Sequence, residues 1–526
     1  MFKRAVSSAL ILLFIAASFS YAQQTARRGA SSATAPEEGR RLVQAALAAM
    51  GGEARWRAVK SIQVEGIGHV NAVEQSERPE GPYIVSYEQT RELIDFAGAR
   101  MRRTVESRDG QTTEWAARTF VVAGGVASAV RGDKAFPGSP LSLQEGELRI
   151  ALGPERVLLS ALDAADLRAE GETVLQGTPQ RIVKFTWRER PVTVFLNANS
   201  QLPTAVETLG THPYELWAVW GDVRTRVYYS YWTLEAGALR YPRQWDTERN
   251  NLKWRTFTAI NLKLNPPTPE DALSISADVQ KAYKARPSIN FETAPLGRPG
   301  RPPHDTAPGV YSMPGGWDVT LVRQSDGIVI IEAPISSSYS VKVLDEAAKH
   351  FPGVPVKAVI STSDAWPHFG GVREYVARGI PVYALDLNRP ILERLLAAPR
   401  TLNPDALART PRRKPKFQIV SAKTMIGGGA NRLELYPIRT ETGERMMMVY
   451  FPEHRLLYGS DLLQKRPDGS FFMPQYVSEV ISAAEREKLS VERVFAMHMD
   501  AMNWTDVAAA VSKATADTAA GDAPRE

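Results

Sequence analysis

The sequence predicts two folded domains: a mainly antiparallel β domain over residues 37–284, followed by a mixed α/β domain over residues 309–513. Three observations predict this. A length of 526 residues with 44% hydrophobic content is enough for more than one core. Strand-like segments dominate the first half, whereas apolar runs alternate with amphipathic stretches in the second. Residues 285–308 are rich in Pro and polar residues, which predicts an interdomain linker.

The chain begins with the features of an export signal. Lys3 and Arg4 precede an apolar stretch over residues 9–17, and a small-residue pattern ends at Ala22. These features predict a cleaved signal peptide over residues 1–22, cut after Ala22, and a periplasmic or secreted protein. The apolar stretch is too short to span a bilayer, and no transmembrane segment is expected in the mature chain. Residues 23–36 are small and polar, which predicts a flexible leader.

The composition limits both chemistry and partners. The sequence has no Cys, which excludes disulfides, thiolate metal ligands and Cys nucleophiles. Any metal ion must therefore be bound by His, Asp or Glu. The net charge of +6 is small for this length, and the densest basic run, residues 409–417, is interrupted by Pro and lacks interleaved aromatic residues. No nucleic-acid partner is expected.

The first domain is predicted to be a large antiparallel sheet preceded by an amphipathic helix that ends at Gly51 and Gly52. It resembles the periplasmic lipoprotein-carrier (LolA-like) domains in the stretches AALAAMGG, VTVFLNANSQLPTAVET and YYSYWTLEAGALRYPRQW. This resemblance implies a curved sheet with an apolar concave face, and so an apolar ligand or a protein partner. Four aromatic residues could line that face or belong to the ordinary packing of the sheet: Tyr228, Tyr229, Tyr231 and Trp232.

The second domain is predicted to alternate strands with helices. A hairpin across residues 325–327 precedes a serine-capped helix, and the buried strand VKAVIST then leads into the loop STSDAWPHFGG. Three candidate ligands follow strands: His368 in that loop, Asp461 after HRLLYGS and His498 after VERVFA. Catalytic sites of open α/β sheets lie at the carboxyl ends of strands. Two imidazoles and a carboxylate suit a single zinc or iron ion.

The order of these segments resembles the metallo-β-lactamase superfamily over roughly the last two-fifths of the chain. The hallmark loop of that superfamily reads T-H-x-H-x-D-H-x-G-G; Thr362, Trp366, His368, Gly370 and Gly371 match this loop, which has Trp before the Asp in some members. Further similar stretches are DGIVIIEAP, GIPVYA, VYFPEHRLLYGSDL and FAMHMD. The resemblance implies an αββα sandwich and a hydrolase-like metal site.

The same alignment indicates that several ligands of the superfamily are replaced. The two His of the H-x-H motif fall on Ser363 and Ala365, the following Asp falls on Pro367, and the middle-loop His falls near Thr442. Ala and Pro cannot bind a metal through their side chains, and a Ser or Thr hydroxyl is a poor zinc ligand. The resemblance therefore implies a degenerate metal site, and no two-metal mechanism is expected.

The three remaining ligands, His368, Asp461 and His498, leave two hypotheses open. The first is a hydrolase that uses one zinc or iron ion on an ester, amide or phosphoester. The second is a non-catalytic binding or scaffolding protein, a pseudoenzyme in which these residues only stabilise a turn, a following segment and a strand end. The four replacements favour the second hypothesis.

The other acidic and histidine residues near these motifs are not expected to join the site. Asp364 occupies a variable position of the hallmark loop, and we expect it, Glu441 and Glu444 to be exposed acids. Five histidines are expected to be structural, exposed or without a role: His69, His212, His304, His350 and His454. Residues 514–526 are predicted to form a disordered tail.

Overall fold

The computed structural model describes residues 34–75, 81–109, 115–410, 413–466 and 468–521. The predicted signal peptide and most of the predicted leader lie outside these residues. Within them, the chain forms a large antiparallel sheet followed by a mixed α/β region. The predicted fold class is confirmed.

The first domain is built on a single sheet of 13 strands in the order β6-β5-β4-β3-β2-β1-β13-β12-β11-β10-β9-β8-β7. All described pairings in it are antiparallel, and β1 pairs with the last strand, β13. The strands are β1 (Ser61–Asn71), β2 (Val85–Asp95), β3 (Arg100–Arg108), β4 (Ala116–Ala123), β5 (Val126–Arg131), β6 (Lys134–Pro137), β7 (Arg168–Leu175), β8 (Thr178–Trp187), β9 (Arg190–Asn197), β10 (Pro203–Gly210), β11 (Val223–Leu234), β12 (Arg240–Arg249) and β13 (Leu252–Leu264).

Helices pack against this sheet and complete its core. They are α1 (Ala35–Ala49), α2 (Glu53–Ala58), α3 (Pro140–Leu152), α4 (Val157–Asp163) and α5 (Ala277–Ala285). Helix α1 begins inside the predicted leader because Thr34 and Glu37 form a capping box at its start. Its buried face contains Val43, Ala46 and Leu47. Of the four predicted face-lining aromatic residues, Tyr229 is buried in the core, whereas Tyr231 is exposed.

The second domain contains two sheets. The strands of the first are β14 (His304–Ala307), β15 (Val310–Met313), β16 (Val319–Gln324), β17 (Gly327–Ile331), β18 (Val356–Ser361), β19 (Val382–Leu385) and β20 (Phe417–Val420), adjacent in chain order. The strands of the second, also adjacent in chain order, are β21 (Thr424–Ile426), β22 (Leu433–Pro437), β23 (Met447–Phe451), β24 (Leu456–Tyr458), β25 (Arg493–Ala496) and β26 (Met499–Asn503).

The two sheets pack face to face and carry helices on their outer faces. Val329 and Ile360 of one sheet share a core with Val449 and Phe495 of the other. The outer helices of the first sheet include α6 (Ser337–His350), α8 (Val372–Arg378) and α9 (Arg389–Ala397), and those of the second are α11 (Pro474–Arg486) and α12 (Trp504–Gly521). The short helices α7 (Trp366–Phe369) and α10 (Ala406–Arg409) lie in connections. The layers are therefore helix, sheet, sheet, helix.

Two predicted boundaries differ from the structure. Residues 304–307 belong to strand β14 rather than to the linker, because their backbone pairs with β15. Helix α12 continues to Gly521, well into the predicted disordered tail. Its Ala-rich sequence has a high helix propensity, which favours a helix over a disordered tail. No helix in the described ranges has an apolar stretch long enough to cross a bilayer.

The two domains share a hydrophobic core. Trp217, Val219 and Trp220 of a 3₁₀ turn in the first domain belong to the same buried cluster as Trp366 and Phe369 of the second. The Trp366 ring packs edge-on between Trp217 and Trp220, with centroid distances of 4.8 Å and 5.1 Å. Such aromatic contacts add to the free energy gained by burial. The first domain therefore directly supports the loop that carries His368.

Hydrogen bonds between the two domains reinforce this contact. The Asp222 carboxylate accepts hydrogen bonds from the Thr401 backbone N–H at 2.8 Å and from the Leu402 N–H at 3.1 Å. Arg400 donates to the Val219 carbonyl at 2.6 Å. Because these polar groups are paired across the boundary, separating the domains would expose both apolar surface and unsatisfied donors.

Replacing Trp220 by Ala is expected to destabilise both domains together. The cavity left at the shared core should lower the free energy of unfolding by about 3 kcal/mol, in the range measured for buried Trp→Ala changes. Chemical denaturation followed by circular dichroism measures this change. Trp115→Ala is the matched control, because Trp115 is 43% exposed and its loss should cost less than about 0.5 kcal/mol. Equal effects of the two variants would contradict a shared core.

Candidate metal centre

The loop after strand β18 is the centre of the candidate site. Pro367 stands in the first turn of helix α7, where its missing N–H is not needed. His368 follows in the same turn and is buried, with 1% of its side chain exposed. The Gly pair permits close packing: a Cβ on Gly371 would lie 2.1 Å from the Ser340 hydroxyl, and one on Gly370 would lie 2.5 Å from the Ile335 carbonyl. These contacts explain why the loop needs two glycines.

The three predicted ligands converge. His368 Nε2 and His498 Nε2 each lie 3.3 Å from Asp461 Oδ1. One ligand atom from each residue can be chosen so that all three atoms lie within 4.8 Å of one another, and this is the only such group of His, Asp and Glu side chains in the described parts of the chain. The three residues come from separate elements: α7, the loop after β24 and the β25–β26 connection.

Two of the interatomic distances in this cluster are those expected around one metal ion. Two ligand atoms that each lie about 2.1 Å from a tetrahedral zinc ion stand about 3.4 Å apart. The two His–Asp separations of 3.3 Å match that value. Three protein ligands would leave a fourth position open, as in catalytic rather than structural zinc sites.

Glu332 lies directly behind His368 and was not singled out from the sequence. It follows strand β17, is fully buried, and its Oε2 lies 3.1 Å from His368 Nδ1. The hydroxyl groups of Thr362 and Tyr458 donate to its Oε1, the latter at 3.0 Å. A carboxylate on the second ring nitrogen orients a ligating imidazole and raises its basicity. Glu332 is therefore a supporting residue of the cluster.

The backbone at this position is in an unfavourable conformation. Glu332 has a φ of 78° and Ser460, which neighbours Asp461, has a φ of 58°. Non-glycine residues rarely adopt this left-handed region, and such strain is concentrated at functional sites. The Ser460 hydroxyl lies 2.7 Å from that of Thr362, so the strained segments are joined by hydrogen bonds.

The charges of the cluster shift two pKa values in opposite directions. Burial alone would lower the pKa of His368, but the carboxylates of Glu332 and Asp461 outweigh it and raise this pKa to about 10. Burial alone would raise the pKa of Asp461, but the imidazoles of His368 and His498 hold it well below its usual range. In the metal-free protein, a charged His368 therefore lies between two carboxylates.

Two residues near the cluster, Ser363 and Thr442, make structural hydrogen bonds. The Ser363 hydroxyl accepts a hydrogen bond from the Ala365 N–H at 3.1 Å. The Thr442 N–H donates to the Glu479 carboxylate at 3.1 Å. None of the residues Ser363, Ala365, Pro367 and Thr442 belongs to the His–Asp–His group.

One expectation about the neighbouring acids is wrong. Asp364 is fully buried rather than exposed, and its carboxylate lies 3.9 Å from the Arg445 guanidinium. It is buried because the loop on which it lies is enclosed by the core of the second domain and by the first domain. Asp364 does not join the His–Asp–His group, while Glu441 is exposed as expected and Glu444 is half-buried.

A cleft between the two domains gives access to the cluster. Its volume is about 460 Å³, and Asp461 is one of its lining residues. The side chain of Asp461 is 15% exposed and that of His498 is 28% exposed, whereas His368 is closed off. The second domain contributes Met446, Leu462, Gln464, Phe472 and Tyr476 to the walls, and the first domain contributes residues of β1, β2, β3 and β4.

The other histidines lie away from the cluster. His212 is buried, its Nδ1 lies 2.6 Å from Glu215, and burial lowers its pKa to about 4. His350 stacks on Tyr311, and His454 Nε2 lies 2.7 Å from Asn431 Oδ1. His69 is half-buried and His304 is exposed. These residues are structural or exposed.

Comparison with known proteins gives partial similarities to solved structures. No protein-family model and no curated protein matches the sequence. The inverting sec-alkylsulfatase Pisa1 from Pseudomonas sp. is 16% identical over 41% of this chain and 40% of its own, with a TM-score of 0.30. Metallo-β-lactamases from Pontibacter korlensis and Erythrobacter litoralis are 15% and 14% identical, over 40% and 41% of this chain and 96% and 98% of their own, each with a TM-score of 0.31. This chain thus spans less than half of the alkylsulfatase.

The stability of the metal-free protein should fall as the pH rises from 6.5 to about 10. A pKa raised on folding stabilises the fold fully below the unfolded value, and this contribution is lost as the pH rises through the folded value. Denaturation of chelator-treated protein across this range measures the change. The His368→Gln variant should show a shallower decline, whereas His304→Gln should follow the unaltered protein. Parallel curves for all three proteins would contradict the charge assignment of His368.

Replacing Glu332 by Gln should weaken metal binding without removing a ligand. Loss of a carboxylate that orients a ligating His typically costs about 10- to 100-fold in affinity. Competition with a chromogenic zinc chelator measures this affinity. Glu393→Gln is the control, because Glu393 is a surface partner of Arg389. Unchanged zinc affinity in a folded Glu332→Gln variant would exclude the supporting role.

Proposed function

We propose that this protein is an exported, degenerate member of the metallo-β-lactamase superfamily that binds one zinc or iron ion and hydrolyses an ester, amide or phosphoester. The convergence of His368, Asp461 and His498 carries this proposal. Three strand ends far apart in the sequence deliver two imidazoles and a carboxylate to one point, and a buried carboxylate supports one of the imidazoles. A set of unrelated structural residues would not need this arrangement.

Different residues of the chain would have different roles at such a site. A bound divalent ion would supply an activated water and polarise the scissile group. Glu332 holds His368 in one orientation from the closed side. Asp461 lines the interdomain cleft, so a substrate would approach from that side. The apolar side chains of Met446, Leu462 and Phe472 would position its non-reacting part and exclude water.

A second function, non-catalytic binding or scaffolding, is favoured by a different observation. Asp461 already pairs with both imidazoles at 3.3 Å, so the cluster is stable as a set of charge-assisted contacts without an ion. In that case the cleft would only bind a ligand. The LolA-like first domain, with an apolar ligand or protein partner at its sheet, would carry the main function.

The location of the protein is part of the proposal. The basic start, the apolar stretch and the small-residue pattern ending at Ala22 support export to the periplasm or the outside of the cell. The absence of Cys from the whole sequence is compatible with such an oxidising compartment, since no thiol would need protection there.

Metal content distinguishes the two functions. Protein purified from metal-replete cells is expected to contain one zinc or iron ion per chain, measured by plasma mass spectrometry. His498→Ala should lower the affinity by at least about 100-fold, because a direct ligand matters more than a supporting carboxylate. His304→Ala, which removes an exposed imidazole, should retain the ion.

The proposed hydrolase function requires that hydrolytic activity depend on the bound metal ion. The Asp461→Asn variant and chelator-treated protein should not hydrolyse a panel of chromogenic esters, anilides and phosphodiesters. Adding the ion back should restore hydrolysis in the unaltered protein but not in the variant. Metal-free protein from metal-replete growth would establish the non-catalytic alternative. Metal-loaded protein without any turnover would leave binding, not hydrolysis, as the role of the cleft.

A further inference from the structure

The first domain contains a cavity of about 210 Å³ that is separate from the metal centre. It lies between helix α3 and the inner face of strands β10, β11, β12 and β13, with Glu92 of β2 and Arg103 of β3 at its side. No residue lining it belongs to the interdomain cleft. The two spaces therefore have separate walls.

Most of the cavity wall is apolar. Aliphatic and aromatic side chains from the helix and from four strands form it: Leu148, Leu152, Val206, Val227, Tyr229, Trp245 and Phe257. Burying a hydrocarbon against such a wall is favourable by roughly 25 cal/mol per Å². The body of a ligand for this cavity should therefore be apolar.

Four arginines also line the cavity: Arg103, Arg149, Arg249 and Arg255. Arg149 lies over the Trp245 ring at 4.9 Å, and Arg249 lies over the Trp254 ring at 3.5 Å. The carboxylates that pair with three of them, Glu155, Glu215 and Glu88, are not part of the lining. Two carboxylates, Glu92 and Glu145, also line the cavity, so its wall carries more guanidinium groups than carboxylates.

Several guanidinium N–H groups have no hydrogen-bond acceptor. Arg103 Nε, Arg149 Nη2 and Arg249 Nε are all buried and without a hydrogen bond. Arg103 Nε is 3.5 Å from Glu92, which is engaged more closely by Arg149 at 2.8 Å. Unsatisfied buried donors are costly, and a ligand acceptor would remove that cost. Carboxylate and phosphate oxygens are the acceptors that arginine binds best.

We propose that this cavity binds an amphipathic anion: an apolar chain with a carboxylate or phosphate head group. The chain would lie against Leu148, Val206 and Phe257, and the head group would accept hydrogen bonds from the arginine cluster. The LolA-like resemblance alone implies an apolar ligand; the four arginines add the requirement for negative charge.

Three medium-chain probes of equal length test the proposal on the full-length protein: decanoate, decyl phosphate and decanol. Isothermal titration calorimetry should show saturable binding of at least one of the two anions, at one molecule per chain. Decanol should bind at least about tenfold more weakly, because it has the apolar chain but lacks the charge. The stronger of the two anions identifies the head-group class. Absence of saturable binding by both anions would overturn the proposal, and equal binding of decanol would overturn the role of the arginines.

Two pairs of variants place the binding in this cavity. Thr208→Phe fills the space from a half-buried lining position on β10 and should abolish binding. Thr193→Phe is its control: Thr193 is opposite Glu207 in the β9–β10 pairing, while Thr208 is opposite Val192, so the two threonines lie on opposite faces of the sheet. Unchanged binding in a folded Thr208→Phe variant would place the ligand elsewhere and overturn the proposal.

The second pair tests the head group. Arg103→Gln should weaken anion binding about tenfold or more and leave decanol unchanged, while Glu92 keeps its ion pair with Arg149. Arg131→Gln, at an exposed position outside both the cavity and the interdomain cleft, should have no effect. If Arg103→Gln binds the anions like the unaltered protein, the arginine assignment fails. Metal content and hydrolysis are measured separately, so failure here leaves the proposed hydrolase function untouched.

Discussion

The Trp366 indole between Trp217 and Trp220 is the contact on which the candidate site depends most. It lies two residues before His368 and is completely buried, but both rings that hold it belong to the first domain. The backbone N–H of Trp366 also donates to the Glu74 carbonyl of that domain at 3.1 Å. The loop that carries His368 is thus fixed from outside its own domain, and the first domain is a structural part of the candidate site rather than an attached module.

This arrangement explains how the loop stays ordered although few of its side chains could bind a metal ion. A loop with several ligands is held by the ion that they share. Here Ala365 and Pro367 contribute no ligand, and the loop is held instead by aromatic packing, by the Gly370 and Gly371 close contacts and by the Glu74 hydrogen bond. The order of the loop no longer requires a metal, although the remaining ligands still fit one.

The sequence was sufficient for the fold class and for three side chains that converge in the structure, because strand ends and a recognisable loop place them. That they bind a metal stays a prediction. It was not sufficient for Glu332 and Asp364. Glu332 ends an apolar strand, but its partners are Thr362, His368 and Tyr458, between 30 and 126 residues away in the sequence. Asp364 is buried by packing between the domains, which no local pattern records. The sequence alone does not predict the role of a residue when that role depends on long-range contacts or on a left-handed backbone conformation.

The charge balance of the cluster explains why this particular set of residues is compatible with a single ion. Glu332 and Asp461 together carry two negative charges in a buried place, and a charged His368 compensates only one of them. His368, Asp461 and His498 would hold a divalent ion, whose charge would balance both carboxylates. Glu332 would then lie against the Nδ1 side of a neutral His368. A second ion would leave uncompensated positive charge, because Ser363, Ala365 and Pro367 offer no further carboxylate.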